Sequence, residues 1–341
     1  MEQPVVTIAI PCLNEERWIE ACVEQAVGQD YPQDRLEIIV GDGGSQDTTR
    51  AILDDLAKKH PNVRWIDNPE RIQAAAMNAI IKECRGDVVV RFDAHASYAS
   101  DYVSRCIEVL ERTGADNVGG AQRPIAESVF QRALCAALSS PLGVGGAKYR
   151  SADQEGFVDT VWLGAFRRRV FETVGLYDAH AVTNEDAELN QRILQAGGKV
   201  YLSPTIEAHY FPRASHASLA KQYFRYGMGR ARTLLKHGRF EKLRPALPFA
   251  MVATGAVMAI TPALRPLLLP CVGGYLAVCA VEGYRVGRQE GPVTAAVTAT
   301  VFPVLHVSHG VGFAAGLWHY LREPDWAEAE RLRDAAPTPA S

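Results

Sequence analysis

The sequence predicts an α/β fold in which helices cover both faces of a mostly parallel sheet, followed by hydrophobic helices. Two observations predict it. Short β-rich runs alternate with helical patterns through the first 120 residues, which is typical of sheets built from βαβ units. Three stretches without Asp, Glu, Lys or Arg follow residue 244, and the chain becomes markedly apolar there.

Four β-rich runs and three helical patterns make up the alternating region. The runs are residues 5–10, 36–40, 63–66 and 88–92, and the helical patterns are residues 16–27, 47–59 and 71–84. Ligands of open α/β sheets bind at the carboxyl ends of the strands. Three of those ends, residues 11–15, 41–45 and 93–95, are polar or carry glycine. We therefore expect a binding site along this edge of the sheet.

The C-terminal third has the pattern of a membrane-associated region. Residues 213–244 contain nine Lys or Arg residues against one acid, and the charge-free stretches are residues 245–264, 266–281 and 292–321. A membrane-spanning helix needs about 20 apolar residues, so the first and third stretches are long enough and the second is marginal. Pro303, His306 and His309 suggest that the third is broken or re-entrant. A soluble helical region with apolar faces is the alternative.

These changes of composition predict three parts. They are a catalytic domain over residues 1–240, a membrane-associated helical region over residues 241–324 and a disordered tail over residues 325–341. The basic segment before the apolar stretches fits the cytoplasmic flank of a first span. The first residues lack the pattern of a secretory signal peptide, so we expect the catalytic domain on the cytoplasmic face of the inner membrane.

Charge and cysteine content narrow the function further. The net charge of the 341 residues is −3, which gives no reason to expect nucleic acid as a partner. The seven cysteines form no CxxC pair and their number is odd. We therefore expect neither a disulfide framework nor a zinc ribbon. We expect the protein to be in a reducing compartment.

Asp42 follows the second predicted strand and precedes two glycines. A carboxylate at this place can accept a hydrogen bond from the imide N–H of a uracil ring, and Gly43 and Gly44 let the backbone approach a ligand. An ordinary turn is the alternative, because Asp-Gly is a common turn dipeptide. The first strand is not followed by GxGxxG, so a dinucleotide-binding fingerprint is absent.

Asp93 and His95 end the fourth predicted strand. The diphosphate of a nucleotide-sugar donor must be neutralised before it can leave, and a divalent cation does this as a Lewis acid. Asp93 supplies a hard oxygen ligand for Mg²⁺ or Mn²⁺, and the imidazole of His95 moves the preference towards Mn²⁺. The alternative is a strand-end cap at Asp93 and a surface histidine at position 95.

Glu185 and Asp186 precede a helical pattern that runs to about residue 195, with Thr183 or Asn184 as the N-cap. The helix dipole favours carboxylates there and keeps them ionised, as a general base must be. One base is enough to take the proton of an acceptor hydroxyl. The alternative is that the two carboxylates only stabilise the helix by interacting with its dipole.

Two further sites carry weaker signals. Gln222 and Arg225 lie three residues apart on one helical face, where Arg225 either binds a diphosphate or lies against an anionic membrane. Trp162 and Gly164, in residues 159–164, are assigned to the sugar or acceptor site. Trp162 either stacks on a sugar ring there or is a buried core residue.

Taken in order, the segments IAIPCLNEE, GDGGSQDTT, FDAHA, NED and QYFRY resemble the motifs of family 2 glycosyltransferases with the GT-A fold. The resemblance covers residues 5–240. The strings NPERIQAAAMN, RFDAHASYASDYVSRC and YFRYGMGRARTLLKH resemble in particular the ExoA-like succinoglycan glucosyltransferases, a branch with C-terminal membrane helices.

The resemblance implies roles for single residues. Pro11, Glu15 and Asp42 would bind the nucleotide, Asp93 and His95 would form the metal motif, and Asp186 would be the base, with Glu185 as its rival. Gln222 and Arg225 would bind the diphosphate or the acceptor. Two residues depart from the family pattern: His95 stands where a second aspartate is usual, and Tyr226 stands where tryptophan is usual.

The expected function is therefore inverting transfer of a hexose to a hydroxyl of a polyprenyl-diphosphate-linked saccharide in exopolysaccharide biosynthesis, with UDP-glucose as the expected donor and Mn²⁺ or Mg²⁺ as cofactor. Its expected partners are the nucleotide-sugar donor, the lipid-linked acceptor and the membrane. Three alternatives stay open. The first is another donor, UDP-N-acetylglucosamine or GDP-mannose. The second is a non-catalytic sugar- or lipid-binding subunit, and the third is a soluble protein whose apolar stretches pack in an oligomer.

Overall fold

The structure, a computed structural model, describes residues 3–144, 153–238 and 244–326. The chain divides into two compact units. The sheet unit comprises Met1–Ile125 and Ala147–Phe211, and the helical unit comprises Ala126–Gly146 and Pro212–Ser341. This division differs from the predicted one, which has its boundaries at residues 240 and 324. Those boundaries stay a prediction. Nearly all of the predicted tail, residues 327–341, lies outside the described residues.

Eleven strands occur among the described residues, all of them in the sheet unit. They are β1 (Val6–Cys12), β2 (Leu36–Asp42), β3 (Val63–Asp67), β4 (Val88–Arg91), β5 (Ala96–Tyr98), β6 (Asn117–Gly120), β7 (Gln122–Pro124), β8 (Gly156–Phe157), β9 (Trp162–Arg167), β10 (Val200–Leu202) and β11 (Ala208–Tyr210). A large sheet has the order β3-β2-β1-β4-β9-β6-β10-β8, and a small one has the order β5-β11-β7.

The large sheet is mostly parallel, as predicted. Strands β3, β2, β1 and β4 are parallel to one another, and β6 is parallel to β10. Only β9, between β4 and β6, and the edge strand β8 run the other way. Parallel neighbours bring the carboxyl ends of β1, β2 and β4 to one edge of the sheet.

The described residues contain twelve α-helices. They are α1 (Ile19–Val27), α2 (Thr49–Lys59), α3 (Gln73–Glu83), α4 (Tyr102–Thr113), α5 (Val129–Ser139), α6 (Pro141–Val144), α7 (Arg169–Val174), α8 (Glu185–Gln195), α9 (His216–His237), α10 (Leu247–Ile260), α11 (Arg265–Gly287) and α12 (Pro292–Tyr320). Helices α1–α4, α7 and α8 belong to the sheet unit, and the others belong to the helical unit.

Helices cover both faces of the large sheet because its strands are apolar on both sides. Ile8, Ile38 and Val90 point to a core that includes buried residues of α1, α2 and α4. The alternate residues Ala9 and Ile39 point to a second core with buried residues of α3 and α8. Side chains of a strand alternate between faces, so each strand contributes to both cores. The α/β fold class predicted from the sequence is confirmed.

The helical unit is built around α12. This helix packs against α5, α9, α10 and α11. Glycines let its backbone come close to α9: a Cβ atom on Gly312 would lie 2.0 Å from the carbonyl oxygen of Phe224, and one on Gly227 would lie 2.1 Å from the carbonyl oxygen of His309. Close helix contacts through small residues are common in membrane proteins.

Two helices among the described residues have the length and hydropathy of membrane spans, Arg265–Glu290 and Pro292–Tyr320. The first apolar stretch was expected to be long enough, but α10 has only 14 residues because the helix ends at Ile260, before Pro262. The second stretch was expected to be marginal and lies within the 23-residue helix α11. The third stretch is one continuous helix that includes Pro303, so the expected break is absent.

Candidate active site

Hydrogen bonds connect the loops that follow β1 and β2. The backbone N–H of Asn14 donates to Ser45 Oγ at 2.8 Å, and the side-chain oxygen of Asn14 accepts from the N–H of Gln46 at 2.8 Å. The N–H of Glu15 donates to Thr49 Oγ1, at the start of α2. Pro11 lies in the last part of β1, next to these loops. The structure therefore brings two of the predicted strand ends together as one unit.

Asp42, the last residue of β2, is buried and its carboxylate is bonded within the chain. It accepts hydrogen bonds from the N–H of Gly44 and from the N–H and hydroxyl of Ser45, and Arg50 Nε lies 2.5 Å away. Gly44 has φ +78°, a conformation that glycine adopts readily. Burial raises the pKa of Asp42, but the bonds from Ser45 and Arg50 outweigh it and hold the pKa below its usual value.

Arg50 joins Asp42 to the end of β3. Its Nη2 atom lies 2.5 Å from Asp67 Oδ1, and its guanidinium lies over the Trp65 ring at 5.2 Å from the centroid. Arg50 was not among the residues predicted from the sequence. The signal was weak, because an arginine in the first turn of a helix is ordinarily solvent-exposed.

Asp93 and His95 lie directly after β4. Asp93 Oδ1 accepts from Arg91 Nε at 3.0 Å and from Gln73 Nε2 at 3.1 Å. The half-exposed His95 ring places Nδ1 3.1 Å from Glu15 Oε1, so the loop after β4 contacts the loop after β1. The predicted residues Glu15, Asp93 and His95 are therefore neighbours at one sheet edge.

Arg91 is the residue that connects the two predicted catalytic motifs. It is the last residue of β4, and its side chain is only 4% exposed. Its Nη1 atom lies 2.6 Å from Asp186 Oδ1 and 3.2 Å from Glu185 Oε1, while Nε binds Asp93. Three carboxylates surround this guanidinium and raise the pKa of Arg91 further, although burial alone would lower it.

The first two residues of α8 differ in exposure. The Asp186 side chain is 22% exposed and that of Glu185 is 10% exposed, so Asp186 is the better placed to meet an acceptor. Burial raises the pKa of Asp186 to about 7, against the attraction of Arg91, and the charges of Glu185 and Asp93 add to the rise. The helix dipole was expected to keep this carboxylate ionised. Desolvation among like charges acts against that expectation.

Trp162 and Gly164 lie in β9, the antiparallel strand beside β4. Trp162 is half-buried and contacts the Tyr210 ring edge-on, with centroids 5.6 Å apart. Leu163 and Gly164 have positive φ angles of 67° and 93°, next to an irregularity in the pairing of β6 with β9. A side chain on Gly164 would collide with Phe166, which explains the glycine. A role in sugar or acceptor binding stays a prediction.

Gln222 and Arg225 lie on α9, in the helical unit. Gln222 Nε2 donates to the hydroxyl of Tyr226 at 3.0 Å, and Arg225 is exposed. Their predicted role in binding a diphosphate or an acceptor is not tested by these contacts and stays a prediction.

Comparison with known proteins decides the family. Residues 7–175 match the model of glycosyl transferase family 2. The chain is 36% identical over 319 residues to the succinoglycan biosynthesis protein ExoA of Rhizobium meliloti (strain 1021), which covers 92% of this chain and 96% of the relative. The chain belongs to the family 2 glycosyltransferases.

Two further proteins are similar to this glycosyltransferase. A dolichyl N-acetyl-alpha-D-glucosaminyl phosphate 3-beta-D-2,3-diacetamido-2,3-dideoxy-beta-D-glucuronosyltransferase of Methanococcus voltae is 32% identical over 246 residues, 70% of this chain and 76% of the relative. The structure of the mannosyltransferase PcManGT from Pyrobaculum calidifontis, in complex with GDP-Man and Mn²⁺, superposes with a TM-score of 0.64 at 21% identity. The match covers 93% of this chain and 88% of that one, and it confirms the predicted GT-A fold.

The residues after β4 of this glycosyltransferase fit a metal that is only partly held by protein. Within residues 3–144, 153–238 and 244–326 no three His, Cys, Asp or Glu side chains are grouped to hold an ion. Oδ1 of Asp93 accepts from Arg91 and Gln73, and His95 lies two residues further along the loop. Mg²⁺ is commonly bound by one or two carboxylates together with substrate phosphates and water. The arrangement fits a cation that shares its ligands with a nucleotide diphosphate.

Proposed function

We propose that this glycosyltransferase is an inverting, metal-dependent enzyme that moves a hexose to a hydroxyl of a polyprenyl-diphosphate-linked saccharide in exopolysaccharide biosynthesis, with UDP-glucose as its donor. One observation carries the proposal. Arg91 contacts Asp93 through Nε and Asp186 through Nη1, and this closeness of the two carboxylates supports a diphosphate site at Asp93 and a base at Asp186. The resemblance to a succinoglycan biosynthesis protein supports the polysaccharide product.

The proposed reaction is a single displacement. The acceptor oxygen forms a bond to the anomeric carbon, the bond from that carbon to the diphosphate oxygen breaks, and the hydroxyl proton passes to Asp186. The nucleoside diphosphate leaves, and the configuration is inverted. Asp93 and His95 would hold Mn²⁺ or Mg²⁺, which supplies charge neutralisation to the leaving diphosphate. Glu185, the more buried carboxylate, supports the base rather than replacing it.

On the donor side we propose Pro11, Glu15 and Asp42 as nucleotide contacts, because their loops are joined at the sheet edge. A uracil imide N–H would have to compete with Arg50 for the Asp42 carboxylate, which Arg50 Nε already approaches at 2.5 Å. The chain would lie at the inner membrane with this edge in the cytoplasm, and the exposed apolar side chains of α10 and α11 support contact with a membrane.

The test is a screen of radiolabelled nucleotide sugars with lipid-linked saccharides extracted from membranes as acceptors. Transfer from UDP-glucose, abolished by EDTA and restored by Mn²⁺ or Mg²⁺, is the expected result. Transfer from GDP-mannose instead would favour the second donor candidate, for which the GDP-Man bound to PcManGT is the motivating observation. UDP-N-acetylglucosamine is the third donor in the screen. Nucleotide or lipid binding without any transfer would favour a non-catalytic subunit and overturn the proposal.

A further inference from the structure

The contacts of Arg91 point to a role that the proposed function does not include. Its guanidinium uses two different nitrogen atoms for two different motifs, Nε for Asp93 and Nη1 for Asp186 and Glu185. Asp93 and Arg91 belong to the end of β4, whereas the α8 carboxylates are 94 and 95 residues away in sequence. Within the described sheet unit, this side chain is thus a direct link between β4 and the start of α8.

We propose that Arg91 is a positioning residue that fixes the Asp186 carboxylate relative to Asp93 for sugar transfer. The proposal rests on the proposed function, in which Asp186 is the base. Guanidinium is planar and rigid, so its Nε and Nη1 atoms hold their two acceptors at a fixed separation and orientation. At 4% exposure the side chain is closed off from a substrate, so it acts through the carboxylates.

The two α8 carboxylates, Glu185 and Asp186, are adjacent like charges at the start of one helix. Glu185 and Asp186 would repel each other and Asp93 if no cation lay between them. Removing a buried cation would leave these charges uncompensated, which is strongly destabilising, so a test must first keep the charge.

Arg91→Lys keeps the positive charge but removes the planar guanidinium with its separate Nε and Nη1 donors. One ammonium group cannot occupy the positions of both Nε and Nη1, so Asp186 loses its fixed direction. Small misplacements of a catalytic group cost up to about 10²-fold in rate. We expect kcat with UDP-glucose to fall by about 10- to 100-fold, with KM for UDP-glucose within about threefold of that of the wild type and UDP binding by calorimetry preserved.

Arg167→Lys is the matched control. Arg167 is a half-buried arginine of the neighbouring strand β9, paired with Val88 at the opposite end of β4. Within the part of the chain that the structure describes, its guanidinium donates to the backbone carbonyls of Ala115 and Leu110. This substitution should leave kcat unchanged, whatever its effect on the melting temperature.

The deciding measurement is a double-mutant cycle with Asp186→Asn. If Arg91 acts through Asp186, Arg91→Lys should cause no further loss of kcat when Asp186 is already Asn. Equal losses in both backgrounds, or a wild-type kcat for Arg91→Lys, would overturn the positioning role. If Arg91→Lys and the second variant Arg91→Gln both melt early and no longer bind UDP, the role is structural and the proposal is also overturned. The proposed function fails by a different outcome, namely wild-type turnover of Asp186→Asn alone.

Discussion

At the scale of the residue, the choice between Asp186 and Glu185 can be tested directly. Asp186→Asn keeps the shape of the side chain and its contact with Arg91 but removes the base. General-base catalysis contributes about 10²–10⁴-fold, so kcat should fall by that factor while UDP-glucose binding is retained. The retention follows because the proposed donor contacts lie elsewhere, at Asp42, the last residue of β2, and at Asp93, directly after β4.

Glu185→Gln is the comparison for that experiment. Glu185 shares Arg91 Nη1 with Asp186 but is less exposed, so its loss should lower kcat by less than Asp186→Asn does. Calorimetry with UDP-glucose and turnover measurements on both variants are needed. Turnover of Asp186→Asn within a few-fold of the wild type would show that the base is another group, and loss of UDP-glucose binding would give Asp186 a donor-binding or structural role.

The raised pKa of Asp186 predicts a pH dependence. A base works only when it is deprotonated, and burial raises this pKa to about 7. As the pH falls below that value, kcat should decrease by about tenfold per unit. A divalent cation beside Asp93 would offset part of the repulsion between the carboxylates, which contributes to the raised pKa of Asp186. The inflection of the kcat profile should therefore lie at or below pH 7. The measurement is kcat between about pH 5 and 8, and a flat profile would contradict the assignment.

The position of His95 predicts a change of metal preference. An imidazole favours Mn²⁺ over Mg²⁺, whereas a carboxylate favours Mg²⁺. His95→Asp should therefore stay active and shift its optimum towards Mg²⁺, and EDTA should abolish the activity of both proteins. His95 also contacts Glu15, so Glu15→Gln, which keeps the imidazole, should leave the metal preference unshifted even where it weakens nucleotide binding. Full activity in EDTA would refute metal dependence.

Among the site residues, those that end strands were predictable and those that join strands were not. Asp42 and Asp93 follow apolar runs, so the rule for parallel sheets places them at one edge. Arg91 and Arg50 were missed because their partners become neighbours only after folding; Arg91 and Asp186 are 95 residues apart in sequence. The sequence VVVR does not indicate which carboxylates its arginine, Arg91, contacts in the folded protein.

At the scale of the element, strands that depend on distant partners were likewise not predictable from the sequence. The strands β1–β4 and helices α1–α3 are close to the predicted runs, because each has a clear apolar pattern. The strands β5–β8, β10 and β11 have two to four residues, and pairing with distant strands rather than local pattern fixes them. Strand β9 is six residues long, but Gly164 interrupts its apolar pattern.

The close packing of α9 on α12 gives a prediction at this scale. A methyl group on Gly312 would lie 2.0 Å from the backbone oxygen of Phe224, so the helices would have to separate. Overpacking of this kind costs about 1–3 kcal/mol, and Gly312→Ala should lower the melting temperature of the purified protein. Gly274→Ala in α11 is the control, because a Cβ there meets no atom within 4 Å. Alanine should stabilise that helix by about 0.5–1 kcal/mol, and equal melting temperatures of the two variants would contradict the packing.

At the scale of the whole molecule, the apolar surface of the helical unit has to be covered in solution. Helix α10 has no buried residue, and α11 exposes several large apolar side chains, including Leu269 at 81% and Val278 at 54%. Exposed apolar surface of this extent marks an interaction site, and a lipid bilayer is the occupant we expect because a basic segment precedes it. An oligomer formed through the same surface is the alternative.

Membrane fractionation separates these two occupants. The wild-type protein should sediment with membranes, resist extraction at alkaline pH and dissolve in detergent. Replacing Leu269 and Val278 by Glu should release part of the protein, because a charge at the bilayer centre costs about 2.5–3.5 kcal/mol on insertion scales. Phe157→Glu is the matched control: Phe157 is an equally exposed apolar residue, at 55%, but lies on edge strand β8 of the sheet unit, and its loss should leave membrane retention unchanged. Recovery of the wild-type chain as a soluble oligomer that the Leu269 and Val278 substitutions dissociate would show that a second copy, and not lipid, covers α10 and α11.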